Sequence, residues 1–262
     1  NDTPELQFRY GSENGAKENW SYTSGNYDGG YVDDWFETGL DMINSVSVSG
    51  GNDKTQAYFS YGNTTSSGVT PKNDYEKNNF AFKQSTKMLN DKVKITSNVI
   101  LSQEETENRN RAGYYNNPLT GLYWFPRDRD FNEFKDNYSM LDVNRNVDVM
   151  NWFVSDHHQS NPYWLLNEET QEDNYKRAIA ALTAEWTIND NFSFQMRMNY
   201  DFAKKSQDER RNAGGNTTTV AKNGRWIYAD WTDTKSYMDG ILNYNKTLGE
   251  NFTVNALVGA TI

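Results

Sequence analysis

Two stretches concentrate the side chains able to do chemistry: "YYNNPLTGLYWFPRDRDFNEF" at 114–134 and "NWFVSDHHQSNPYWLL" at 151–166. Flat Trp and Tyr faces stack on sugar rings, and Asn, Asp and Arg hydrogen-bond hydroxyls or peptide groups. Tyr123, Trp124, Arg127, Asp128, Trp152 and Asp156 are therefore the candidate ligand-contacting residues. The competing reading is that these aromatics pack the segment against itself or against a partner, as compact aromatic-rich loops do.

Other chemistries find little support. Glu104, Glu105 and Glu107, or Asp128 and Asp130, are carboxylates close in sequence, but no base, nucleophile and orienting group can be placed beside them. The chain is read as a non-enzyme. It has no Cys, and its two His, His157 and His158, are adjacent, so on extended backbone they point to opposite faces rather than toward one ion. Asp128 and Asp130 lack the spacing of a calcium-binding helical loop. No metal or cofactor is expected. A net charge of -10 without a basic cluster disfavours nucleic acid as a partner.

The segments that flank these stretches alternate. From Phe192 to Phe202 the even positions are Phe, Phe, Met, Met, Tyr and Phe, while the odd ones are Ser, Gln, Arg, Asn and Asp. That is a two-faced strand. Ahead of it, Ala178, Ala180, Leu182, Ala184, Trp186 and Ile188 share a face opposed by Arg177, Thr183, Glu185 and Thr187, with Ile179 and Ala181 as exceptions. Asn189-Asp190-Asn191 between the two predicts a hairpin. Similar pairs are expected around Gly50-Gly51-Asn52-Asp53, Leu89-Asn90-Asp91 and Leu248-Gly249-Glu250-Asn251, about eight strands in all.

The intervals between hairpins are unequal. A long connection is expected over 103–171 and a shorter one from about Lys204 to Thr234. Alternation alone suits either a soluble β-sandwich or a membrane barrel. No run approaches the roughly 18 apolar residues of a transmembrane helix. Strands of roughly 9–11 residues, tight turns at one end and long loops at the other fit a membrane-crossing barrel. In that reading the even face of 178–202 meets lipid, and Arg177, Glu185, Arg197 and Asp201 face an aqueous or plugged lumen. A secreted carbohydrate-binding or adhesion module built as a sandwich is the rival.

At 46–102 the sequence resembles the SusC/RagA family of TonB-dependent outer-membrane transporters, through Ser49-Gly50-Gly51, Lys54-Thr55, Tyr58, Gly68, Asp74-Tyr75 and the hairpin that follows. A second match is Asn161-Pro162-Tyr163-Trp164 ahead of the strand pair that ends at Phe202. The resemblance implies an all-β fold, an antiparallel transmembrane barrel segment with short periplasmic turns and long extracellular loops. Residues 1–262 would be part of a single barrel domain, an internal piece lacking the family's plug and the remaining strands. The resemblance further implies import of oligosaccharides or peptides across the outer membrane of a Gram-negative bacterium. A SusD-like surface lipoprotein would be the partner, and TonB would act through the missing N-terminal part.

Overall fold

The computed structural model describes residues 30–127, 129–154 and 158–262. Eight strands form one antiparallel sheet: β1 (Leu40–Gly51), β2 (Thr55–Ser67), β3 (Asp74–Met88), β4 (Val93–Glu107), β7 (Glu169–Thr187), β8 (Phe192–Arg211), β9 (Arg225–Leu248) and β10 (Phe252–Thr261). They pair in the order β1-β2-β3-β4-β7-β8-β9-β10, leaving β1 and β10 as edges. A separate two-stranded ribbon, β5 (Ser139–Asp142) and β6 (Val147–Met150), lies within the long connection, as do the short helices α2 (Pro118–Trp124), α3 (Asn132–Asp136) and α4 (Pro162–Glu168). One further turn of helix, α1 (Gly30–Asp33), precedes the sheet.

The expected hairpins form, and their turns show why they are tight. The Asn189 side-chain oxygen accepts from the backbone N–H of Asn191 at 2.9 Å and of Phe192 at 3.0 Å. Asn52 does the same for Lys54 and Thr55, both at 2.9 Å. These are Asx turns, in which a short polar side chain replaces a backbone acceptor. Leu89, Asn90 and Asp91 are all left-handed, with φ of 54°, 56° and 63°. At Gly51 a Cβ would stand 2.2 Å from the Thr55 carbonyl oxygen, so the β1–β2 turn closes only with glycine there.

The strands are longer than the alternation predicts: β7, β8 and β9 have 19, 20 and 24 residues. The long connection accordingly shrinks to 108–168 from the expected 103–171, and the later one to 212–224. The extensions at 169–177 and 203–211 are rich in charge on both faces, so the apolar signal stops while the ladder continues.

The register fixes which residues share a face. Val48, Phe59, Phe82, Val99, Ala180, Tyr200 and Ser236 are successive cross-strand partners from β1 to β9. Stepping by two along β4, from Val93 to Leu101, and along its partners gives an apolar face without a charged residue. This band is as tall as the roughly 9–11 residues of a tilted membrane-crossing strand. The buried hydrophobic residues do not lie in this sheet. Trp35, Leu122, Phe125, Phe131, Phe134, Trp152 and Trp164 belong to the segments clustered at one end of it. The eight strands form one sheet, so the two stacked sheets of the sandwich expectation are not present among the described residues.

Candidate functional site

The face opposite the apolar band carries the charges, and they meet across strands. Arg177 and Asp201 form a two-pronged pair at 2.9 and 2.6 Å between β7 and β8. Arg197 clasps Asp239 on β9, with Nε 3.0 Å from Oδ1, and the Tyr237 hydroxyl donates to the same carboxylate at 2.6 Å. Lys77 meets Glu104 at 2.8 Å and Lys94 meets Glu185 at 3.5 Å. Arg177, Glu185, Arg197 and Asp201 thus share one face, as their spacing predicts. Ile179 and Ala181 break the pattern by facing the same way. The partners Lys94 and Asp239 were not legible from the sequence, because register across strands is not written in either strand alone.

At the end away from the tight turns, three segments condense into a cap: the stretch before β1, the connection 108–168 and the connection 212–224. Two Asn-Pro steps start its longer helices. Asn117 accepts from the Leu119 N–H at 3.0 Å ahead of α2, and Asn161 accepts from the Tyr163 N–H at 2.9 Å ahead of α4, each followed by proline at the first helical position. Asn161 is fully buried, and its amide donates to the carbonyls of Phe134 and Asn151 at 2.9 and 2.8 Å. Gly121 lets α2 press on the chain entering α4, since a Cβ there would lie 2.2 Å from the Ser160 carbonyl oxygen. Asn216, also fully buried, donates to the His158 carbonyl and ties the 212–224 connection in.

The candidate ligand-contacting residues divide between surface and core. Tyr123 and Trp124, at the end of α2, are 63% and 65% exposed. Trp152 is only 8% exposed and packs among Phe125, Phe134 and Phe153, with ring centroids 5.4, 5.4 and 4.9 Å away. Its face is spent on the cap interior, as the self-packing reading expects of such aromatics. Arg127 is exposed and lies near Tyr31, whose hydroxyl donates to the Phe125 carbonyl at 3.2 Å. Asp128, Asp156 and His157 lie outside the described residues. Tyr31 and Trp35 were not foreseen as cap residues: their stretch shows no periodicity, and only the concentration of aromatics in "YVDDWF" hints at burial.

A second unforeseen group sits where cap meets sheet. Glu169 opens β7 with its side chain sealed from solvent, 3.5 Å from Arg111 and 3.8 Å from Arg211. Arg211 also binds Glu209 at 2.5 Å and Asn116 at 3.0 Å. The Arg111 guanidinium is pushed below its usual range by burial, with Glu209 and Glu169 opposing. Burial likewise raises the phenols of Tyr31 and Tyr138, and lifts Tyr163 to about 12 with Asp136, Asp34 and Glu37 adding to it. Glu104, Glu105 and Glu107 lie at the end of β4, where alternate residues share a face, so Glu104 faces opposite to the other two. No cluster of three metal-ligating side chains occurs among the described residues.

No family model and no curated protein matches the sequence. The fold, however, matches solved structures of the RagAB peptide importer. The closed-closed state gives a TM-score of 0.66 at 16% identity over 87% of this chain, and the open-open state 0.67 at 16% over 88%. A further structure of the RagAB peptide transporter gives 0.67 at 15% identity over 88%. In each case the chain spans 25% of the length of the matched importer chain. The fold is therefore all-β, an eight-stranded antiparallel sheet that matches part of those importer chains, and the all-β architecture is the one the resemblance to the SusC/RagA family implies.

Proposed function

We propose that this chain forms part of the wall of a SusC/RagA-like TonB-dependent transporter in the outer membrane of a Gram-negative bacterium. The carrying observation is the register: through the height of the band every charged side chain lies on one face, and the other face is uncharged. Hydrocarbon on the uncharged side and a water-filled or plugged lumen on the other satisfy both at once, because an unpaired charge in lipid is costly. No helix among the described residues is long and apolar enough to cross a membrane, and crossing by strands needs none.

The cap stands on the outer side, where Tyr123 and Trp124 offer aromatic faces to an incoming oligosaccharide or peptide. The same surface is where a SusD-like lipoprotein would close over the barrel. TonB acts through parts of the protein outside this chain. The similar solved structures are importers rather than enzymes, and the paired charges here serve the wall and not a reaction.

Fractionated cells probed with an antibody to residues 114–134 test this reading. A species several times heavier than 30.3 kDa in the outer membrane is expected. A soluble or secreted species of this chain's own mass would overturn it.

A further inference from the structure

On the uncharged side of the sheet, β8 and β9 continue well past the band toward the cap. Leu101, Ala178, Phe202 and Thr234 are successive cross-strand neighbours at the band's border. Farther out on the same face, Asp208 stands opposite Tyr228 and Arg210 opposite Trp226. Trp226 is 70% exposed and Tyr228 57%. Trp226 is nevertheless fixed: its indole N–H donates to Asp208 Oδ1 at 3.0 Å, and Arg210 clamps that carboxylate through Nε and Nη2 at 3.1 and 2.9 Å. The edge of the ring is anchored and its broad face is left to solvent. β10 pairs with β9 only from Asp239 onward, and a strand added beside 225–237 would flank these rings without covering them, because side chains stand out of the plane of the sheet.

Height separates this pair from an ordinary aromatic belt. Tyr228 and Trp226 lie six and eight residues along β9 from Thr234, which opposes Phe202 at the border. At a rise of about 3.3 Å per residue and a tilt near 45°, that puts them roughly 14 and 19 Å above the hydrocarbon. The headgroup layer is only about 5–7 Å thick on each side, and belt aromatics sit within it. The pair therefore stands above the phospholipid headgroups. Thr170, Glu172, Asn174 and Ser206 share its face on β7 and β8. Flat apolar rings beside hydroxyl, amide and carboxylate groups suit a sugar, which offers C–H to the rings and hydroxyls to the rest. The side of the sheet decides where that sugar comes from. Nutrient in a transporter passes along the lumen, on the opposite face, so a saccharide here belongs to a lipid outside the wall.

We propose that Trp226 and Tyr228 form a stacking platform for the saccharide of an outer-leaflet glycolipid, whose acyl chains lie against the uncharged band below. The inference rests on the reading that this face meets lipid. Trp226 takes a sugar ring on its free face, and Arg210 Nη1, unused in the pair with Asp208, donates to a hydroxyl. A lipid whose polar part ends at its phosphate does not reach the platform. A free saccharide reaches it but lacks the acyl anchor, so it binds weakly.

The test uses the whole protein that carries this chain, purified in detergent and offered lipopolysaccharide, lipid A without the outer sugars, or phosphatidylethanolamine, with retained lipid counted by mass spectrometry. Lipopolysaccharide is expected to be retained over both others. Trp226→Ala should lower that retention about fivefold, the loss of one stacked ring, and Trp226→Phe, which keeps a ring, by much less. Trp231→Ala, on the other face of β9, should leave it unchanged. Equal retention of lipid A would overturn the proposal, as would unchanged retention when Trp226→Ala and Tyr228→Ala are combined. Displacement of the lipid by an equal concentration of its own released oligosaccharide would overturn it too, by assigning the rings to a free glycan. Because the chain has no cysteine, spin labels at Val99→Cys and Asn98→Cys separate this from the parent reading. Oxygen-accessible Val99 beside water-accessible Asn98, with unchanged lipid retention in the Trp226 and Tyr228 variants, rejects the platform alone. A water-accessible Val99 rejects the membrane reading itself.

Discussion

Glu169 is held between Arg111 and Arg211 with its carboxylate out of water, and this trio joins strands β7 and β8 to the cap. Removing Glu169 leaves Arg111 desolvated without its ion-pair partner and Arg211 with Glu209 alone, at a cost of roughly 3–5 kcal/mol. Glu169→Ala should therefore loosen the cap and open residues 108–168 to protease, while Glu172→Ala, on the opposite face of the same strand, should not. Tyr163 gives a pH dependence. Its folded pKa of about 12 lies above the 10.0 of a free phenol, because burial disfavours the phenolate, so the folded state holds the proton more tightly. The stability this lends the cap is complete below about pH 10 and is lost as pH rises through 12. Alkaline titration of tyrosinate absorbance should show that late step, and Tyr163→Phe should remove it. The two tryptophans separate by burial: Trp152→Ala hollows the cap core, at about 3–5 kcal/mol, whereas Trp124→Ala should leave the cap stable and weaken nutrient binding. Unchanged uptake by the Trp124 variant would remove the contact role. None of this division could be read from the sequence, since Trp124 and Trp152 sit in similar aromatic surroundings and differ only in which way the folded loop turns them.

Strands and turns were far more legible, because their signals are local. The alternation at 192–202 identifies β8, and Asn189-Asp190-Asn191 fixes its turn through the side chain of Asn189. What alternation misses is length: at 203–211 both faces are polar, yet β8 continues, paired to β7 and β9 through residues such as Lys204 and Asp230. The cap helices are short and held by Asn-Pro caps and buried amides, so they have no period to detect. The faces make a direct prediction for one strand. Val99 and Asn98 are adjacent in β4 and point to opposite sides. An arginine at Val99 should destabilise the folded protein in bilayers by about 2–4 kcal/mol, and an arginine at Asn98 by far less. Urea unfolding in lipid vesicles measures both; equal effects would mean that the two faces see the same solvent.

The sheet as a whole stores its apolar side chains on an open face and its buried ones in the cap, so the two halves of the molecule are held by different forces. The cap has an interior of its own, built on Phe125, Phe131, Phe134 and Trp152. The sheet is held by cross-strand hydrogen bonds and ion pairs, and its edge strands β1 and β10 are exposed along their whole length. Each edge presents backbone donors and acceptors on its outer side, where further strands would bond in a closed barrel. These 262 residues produced alone should therefore not give a monodisperse monomer in detergent-free buffer. In detergent they should form higher species by pairing edge to edge, while antibody binding to the cap persists because its core does not depend on barrel closure. Analytical ultracentrifugation in the two buffers decides the matter. A folded monomer without detergent would mean that the apolar face is covered by some other device, and the wall reading would fail at the scale of the whole molecule.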